Sequence, residues 1–288
     1  MFANSKWKDS VLSLLTLLLF GTIFLPLLKA QQPTEASSAS LNYKQLGAAM
    51  MAYAADHSDQ LPLGYSYNNA SQLWRHSSYC IVPEGWLAGR ETEPRRTEDA
   101  SQWANATRIY YKDLRALSIP PFPKVPRSGV DYSTALGPRQ AVGTSFNGLL
   151  HNYNVAAVAV PSRLMLLWDG LGRANVDGFS VTSPALYCPL SNAPCRYRPN
   201  GDPQGGFSRP GGVVYAPPGM MPASVGEGNF LSVDLTLTRQ AMKASLTGTS
   251  SGGDYYTDPW SYDANGAPTA YWQDGFYPIT FKPDNTFN

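Results

Sequence analysis

The sequence contains little charge and few of the residues that bind metals. Only 15% of its 288 residues are charged, and 22 Lys and Arg against 21 Asp and Glu leave a formal net charge of +1. A dedicated nucleic-acid binder depends on a basic face, so this balance excludes that class of protein. The chain has three cysteines without a CxxC pair, and its three histidines (His57, His76 and His151) stand far apart. A zinc site therefore has little support.

Glycine, proline and aromatic residues are abundant instead. The 25 Gly and 24 Pro exceed average usage, and 12% of the residues are aromatic. A hydrophobic content of 43% is too high for an intrinsically disordered chain. The composition therefore indicates a folded chain that is rich in turns, loops and short strands, with one long domain or two short ones.

Residues 11–28 form a hydrophobic run without a charge, VLSLLTLLLFGTIFLPLL. A run of about 18 residues is at the lower limit for crossing a bilayer and slightly long for a signal peptide. Lys6 and Lys8 precede it, which favours a cytoplasmic N-terminus over residues 1–10. Ala30 ends a sequence that also resembles a signal-peptidase site, so both a transmembrane anchor and a cleaved signal stay open. In either case the residues that follow lie outside the cytoplasm.

An amphipathic helix is predicted after a polar linker over residues 29–40. Tyr43, Leu46, Met50 and Tyr53 recur at helical spacing over residues 41–57, and Pro62 follows as a stop signal. We expect this apolar side of the helix to pack onto one face of a sheet.

The rest of the chain predicts short strands between long loops. Apolar runs over residues 155–160 and 164–168 predict two strands, with Asp169 turning the chain after the second. Residues 231–237 alternate apolar and polar side chains, which predicts a single strand with one buried face. Together these patterns predict an α+β fold: an N-terminal membrane helix, then an amphipathic helix packed on a small antiparallel sheet with long loops.

Four stretches resemble a known family. They are NYKQLGAAMMAYAADHSDQLP at residues 42–62, SRLMLLWDG at 162–170, GNFLSVDL at 228–235 and DANGAPTAYWQDGFYPITFKPD at 263–284. They are similar to the block after the anchor helix, two head strands and the aromatic C-terminal segment of type IV pilin-like and type II secretion pseudopilin-like bacterial surface proteins. The prepilin cleavage motif is degenerate, because no Gly precedes the apolar run and no Glu lies within it.

The resemblance implies a pilin-like extracytoplasmic head over residues 41–288. It implies a non-enzymatic, membrane-anchored subunit of a type II secretion or type IV pilus-like system. Its partners would be the lipid bilayer and other pilin-like subunits or secretion-system proteins. The head would lie in the periplasm or at the cell surface on a single inner-membrane pass, or the chain would be secreted after signal cleavage. The alternative is a tethered extracytoplasmic module that binds a glycan or a protein.

A candidate calcium site lies near the C-terminus. Asp254, Asp258, Asp263 and Asn265 offer the hard oxygen ligands that calcium prefers within a Gly-rich stretch. The resemblance adds to this interpretation, because pseudopilins bind calcium in a C-terminal loop. The same residues are also ordinary turn formers, so both interpretations stay open. No other cofactor is expected.

Two tryptophans are the candidate binding residues. Trp260 and Trp272 lie in a tail rich in aromatic residues, where exposed rings can stack on sugars or contact partner proteins. The alternative is that these rings build a core under the loops. Residues 248–252 match G-x-S-x-G, but a nucleophile elbow needs a strand before it and a helix after it, so no catalytic residue is predicted.

The cysteines predict one disulfide. Cys188 and Cys195 bracket six residues of a turn-rich stretch, a spacing that can close a small loop in an oxidising compartment. Cys80 is left over and is predicted to be a buried or idle thiol.

Overall fold

The computed structural model describes residues 35–68, 71–74, 79–111, 113–120, 122–169, 175–183, 186, 195–197, 227–241, 261–262, 268–269 and 281–286. The chain divides into two compact units, Met1–Ser38 and Ala39–Asn288. Of the first unit, only residues 35–38 are described, so apart from these first residues of one helix the architecture below is that of the second unit.

One long helix, α1 over Glu35–Asp56, opens the described chain. Its apolar positions Tyr43 and Met50 are buried, which confirms the helical periodicity, although the helix begins before residue 41. The helix ends where the backbone adopts the left-handed conformation, with a positive φ. Asp59, with a φ of 60°, donates its backbone N–H to the carbonyl oxygen of Ala54 at 2.8 Å.

Two short helices and several 3₁₀ turns follow. The helices are α2 over Arg95–Ala100 and α3 over Trp103–Ala106. The 3₁₀ turns lie at Arg108–Tyr110, Leu114–Leu117, Tyr132–Thr134, Gly148–Leu150 and Val155–Ala157. Most of them begin after an Asp or Asn whose side chain accepts a backbone N–H two residues further on, as Asn147 does from Leu149. These side chains therefore fix the turns locally.

The strands are short, and most have two to four residues. In chain order they are β1 Tyr67–Asn68, β2 Leu73–Trp74, β3 Tyr79–Ile81, β4 Lys124–Val125, β5 Ala141–Val142, β6 Ser145–Phe146, β7 Met165–Trp168, β8 Asn175–Asp177, β9 Phe179–Thr182, β10 Glu227–Ser232, β11 Leu237–Ala241, β12 Ser261–Tyr262 and β13 Pro268–Thr269.

The strands form four sheets in the part of the chain that the structure describes. The largest has the order β11-β10-β7-β6-β9-β3, with β6 and β9 parallel and the other neighbours antiparallel. A three-stranded sheet has the order β4-β8-β5, with β4 and β8 parallel. β1 pairs with β2, and β12 pairs with β13. The six-stranded sheet carries the core.

The buried side of α1 packs against the centre of this sheet. Leu46 and Met50 belong to the same core cluster as Leu167 on β7 and Leu231 on β10. Gly47 lets the helix come close, because a Cβ at that position would lie 2.7 Å from the Cδ2 atom of Leu235. Burial of each large apolar side chain contributes about 1.5–3 kcal/mol, so this contact orders the helix.

A second cluster forms around Trp86, which packs edge-on against Phe179 at a centroid distance of 5.5 Å. The indole Nε1 donates to the carbonyl oxygen of Gly178 at 2.8 Å. Gly178 has a φ of 79° and joins β8 to β9 beside the indole ring. The absence of a side chain at this residue makes room for Trp86.

The predicted fold class is wrong. In place of one small antiparallel sheet after a membrane helix, the described residues form a sheet-rich fold with several sheets, two parallel strand pairs and few helices. The cause is strand length, because strands of two or three residues are too short to show a period of two. Among the residues that the structure describes, no helix is both long and apolar enough to cross a membrane. Residues 11–28 lie outside them.

Two of the strand predictions are also wrong. The single strand over residues 231–237 is a hairpin, in which β10 ends at Ser232 and β11 begins at Leu237. Asp234 accepts the backbone N–H of Thr236 at 3.0 Å, and Leu235 has a φ of 67°, so the chain reverses between them. The apolar run over residues 155–160 contains a 3₁₀ turn, whereas the run over residues 164–168 contains β7 as predicted.

Candidate functional site

A buried carboxylate joins α1 to the six-stranded sheet. Asp169 follows β7 and is 1% exposed. Its Oδ1 atom accepts a hydrogen bond from the Tyr43 hydroxyl group. Its Oδ2 atom accepts from the backbone N–H and the side-chain amide of Asn229, at 2.8 and 2.9 Å. These hydrogen bonds offset the loss of hydration that burial of a carboxylate costs. We call this group the Asp169 junction.

The Asp169 junction brings together residues from three of the stretches that carry the resemblance. Tyr43 comes from residues 42–62, Asp169 from residues 162–170 and Asn229 from residues 228–235. The sequence patterns predict Tyr43 in the core and Asp169 in a turn, but they do not predict the contact between these two residues. A signal was present: Asp169 directly follows a fully apolar strand, where an acidic residue needs a buried partner or an exit to solvent.

The chemistry of the Asp169 junction is that of a structural contact. Burial raises the pKa of Tyr43 well above its ordinary value, and the nearby Asp169 carboxylate raises it further. The Tyr43 hydroxyl group therefore keeps its proton and acts as a permanent donor.

Two other reactive side chains, His151 and Cys80, are buried and contact the backbone of Gly64. The Nδ1 atom of His151 accepts the backbone N–H groups of Gly64 and Tyr65 at 2.9 and 3.2 Å, so the ring proton lies on Nε2. Burial lowers the pKa of His151 to about 3, with a smaller contribution from Arg196. Burial raises the pKa of Cys80 to about 12. A histidine that stays neutral and a thiol that stays protonated are poorly suited to acid–base or nucleophilic catalysis near neutral pH.

The outward side of α1 carries one line of uncharged residues, with the exposed Lys44 beside it. Leu41, Gln45, Ala48, Ala52 and Ala55 recur at alternating intervals of four and three residues, which places them on one line along the helix. All are exposed except Ala52, which is partly exposed, and Leu41 is 56% exposed. We call this set the outward line of α1.

A cationic surface lies beside the second aromatic cluster. It consists of Lys124, Arg127 and Arg139. Lys124 and Arg139 both pair with Asp177 on β8, whereas the Arg127 guanidinium lies over the rings of Tyr79 and Phe179. Sequence reasoning did not find this surface, because its residues are separated in the chain and the overall charge is nearly neutral.

The structure leaves most of the predicted site residues untested. The candidate calcium ligands Asp254, Asp258, Asp263 and Asn265 and the candidate binding residues Trp260 and Trp272 lie outside the described residues. Cys195 is disulfide-bonded, and Cys80 is a buried free thiol. Cys188 lies outside the described residues, so its pairing with Cys195 stays a prediction. Within the described ranges, no group of three or more His, Cys, Asp or Glu side chains could hold a metal ion.

Comparisons of the chain with protein-family models, curated proteins and solved structures find no match.

Proposed function

We propose that the chain is a non-enzymatic surface protein that acts as a subunit of an assembly. The assembly would be of the kind used by type IV pilus-like or type II secretion systems, and the subunit would be tethered to the membrane through its N-terminal apolar run. The outward line of α1 is the observation that carries this proposal. The opposite side of the same helix is held firmly in the core, so this line is available to a neighbouring subunit.

The spacing of the outward line suits contact with another helix. Intervals of four and three residues are those of a helix that packs lengthwise against a partner helix. Ala48, Ala52 and Ala55 have small side chains, which let two helix backbones approach closely. The line itself contains no charged residue, so its centre can be buried without a charge, while Lys44 lies at its side.

The buried titratable groups support a non-enzymatic role. The Asp169 carboxylate accepts hydrogen bonds from Tyr43 and Asn229, His151 stays neutral, and Cys80 stays protonated. Each of these groups serves a contact within the fold.

Cross-linking of an engineered cysteine tests the assembly. In the full-length chain in its native cells, Ala48→Cys places a thiol on the outward line, and we expect a short bismaleimide linker to join two copies covalently. Leu136→Cys is the matched control. Leu136 is 59% exposed, and its backbone N–H donates to the carbonyl oxygen of Trp86 in the second cluster, so a thiol there should give no dimer. If Ala48→Cys gives no more dimer than Leu136→Cys, the helix does not pack against a second copy and the proposal fails.

A tethered binding module is the second candidate function. The cationic surface favours it, because the Arg127 guanidinium group has no anionic partner among the described residues.

A further inference from the structure

Arg127 is held in a fixed position by aromatic rings. Its guanidinium carbon lies 4.5 Å from the ring centre of Tyr79 and 4.9 Å from that of Phe179. These two rings meet edge-on at 86°, so the guanidinium sits in the corner between them. The backbone N–H of Arg127 donates to the Tyr132 hydroxyl group at 2.7 Å, which fixes the start of the side chain. Cation–π contacts of this kind orient the plane of the guanidinium and leave its N–H edges free.

The Arg127 guanidinium has no anionic partner in the part of the chain that the structure describes, and it donates no hydrogen bond there. The nearby carboxylates are already engaged. Asp177 is shared by Lys124 at 2.7 Å and by Arg139. Asp131 accepts the backbone N–H and the hydroxyl group of Ser133 at 2.9 and 2.6 Å.

We propose that Arg127 binds a carboxylate group of an acidic polysaccharide, with Lys124 and Arg139 beside it attracting the rest of the polyanion. A guanidinium can bind a planar carboxylate through two parallel N–H···O bonds. Lys124 is 53% exposed and Arg139 is 32% exposed, so both cations reach the solvent next to this site.

The strand edges next to Arg127 favour a polysaccharide over an acidic peptide. A peptide commonly binds by adding a strand to an open edge, where it needs free backbone groups. Beside β3, the side-chain amide of Asn105 already occupies the carbonyl oxygen of Ile81 at 2.7 Å. β4 lies between Pro123 and Pro126, and neither proline has a backbone N–H to donate. Both edges are thus partly blocked to a peptide strand, whereas a sugar acid can bind through the cationic side chains alone.

Calorimetric titration of the full-length chain with an oligogalacturonate tests the proposal. We expect binding that weakens as salt is added, and no binding of the same oligomer after methyl esterification, which removes its carboxylates. Arg127→Gln should weaken the affinity about tenfold, because a charge-assisted contact is lost. Arg127→Lys should also weaken it, because an ammonium group keeps the charge but cannot form the two parallel bonds. The Lys variant also provides the test if the Gln variant does not fold.

Arg115→Gln is the matched control. Its side chain is 90% exposed and pairs locally with Asp113, so removal of this charge should leave the affinity nearly unchanged. Three results would overturn the proposal: no binding of the oligogalacturonate, equal affinity of the wild type and Arg127→Gln, or binding of a glutamate-rich peptide in its place. The inference does not depend on assembly through α1, so failure of the cross-linking experiment would leave it standing.

Discussion

At the scale of single residues, Gly178 shows how one missing side chain permits a packing arrangement. Its φ of 79° lies in the left-handed region of backbone conformation, which residues other than glycine rarely adopt. A Cβ there would also lie 2.6 Å from the Cε2 atom of Trp86. Backbone conformation and packing space therefore both require glycine at this residue. The sequence signals neither need, because 25 glycines are spread along the chain and most could serve as ordinary turn residues.

We predict that Gly178→Ala lowers the free energy of unfolding by about 2–5 kcal/mol, which sums left-handed strain and the clash with Trp86. Gly89 is the matched control, because its φ is also 79° but a Cβ there would meet nothing within 4 Å. Gly89→Ala should therefore lower the free energy of unfolding only through the left-handed backbone strain, by about 1–2 kcal/mol. Urea unfolding of the two variants measures the difference. Equal losses of unfolding free energy in Gly178→Ala and Gly89→Ala would contradict the prediction, because they would show that the Trp86 ring moves aside without cost.

At the scale of secondary-structure elements, α1 and the hairpin β10–β11 were predicted with different success. The helix is long enough for Tyr43, Leu46 and Met50 to repeat at helical spacing, so its buried side was evident from the sequence. The hairpin was missed because its turn continues the alternation of the strands. Asp234 occupies the place of an outward residue in a continuous strand, and the reversal shows only in the structure, in its hydrogen bond to Thr236 and in the positive φ of Leu235.

The contact between α1 and the sheet gives a second prediction. We expect Tyr43→Phe to lower the free energy of unfolding by about 1–3 kcal/mol, because Asp169 then loses a donor while it stays buried. Tyr110→Phe is the control. It removes a hydroxyl group that donates to the exposed Asp56 at 2.8 Å, and its cost should stay below about 0.5 kcal/mol. Thermal and urea unfolding of both variants checks this expectation. Similar losses of unfolding free energy in the two variants would mean that the buried hydrogen bond contributes little to the stability of the Asp169 junction.

At the scale of the whole molecule, the stability of the described fold should depend on pH through His151. Burial lowers its pKa to about 3, whereas the unfolded chain has an ordinary histidine pKa near 6.5. Between these values the unfolded state binds a proton that the folded state does not bind. Acidification therefore favours unfolding, and the stabilising effect of the neutral ring is complete only above the unfolded pKa.

We predict that the free energy of unfolding of the wild type falls by at most about 1.4 kcal/mol per pH unit through this group as the pH decreases from 6.5. His151→Asn keeps an acceptor near the position of Nδ1 but cannot be protonated in this range, so its slope between pH 6.5 and 5 should be shallower. Urea unfolding at several pH values gives the slopes. Equal slopes for His151→Asn and the wild type would contradict the prediction.

The sequence by itself determined the properties that arise from composition and from long local patterns. These include the low and balanced charge, the apolar run over residues 11–28, the long helix with its buried side, and the strand at residues 164–168. Each is visible because many neighbouring residues repeat one signal.

Only the tertiary structure decided which distant residues meet. It showed that Asp169 contacts Tyr43 across 126 positions of the chain, that Arg127 lies between two rings from β3 and β9, and that short strands assemble into several sheets. The physical reason is that strands of two residues and single polar contacts produce no repeating pattern in the local sequence, so the sequence does not predict them. They become stable only when the rest of the chain supplies their partners.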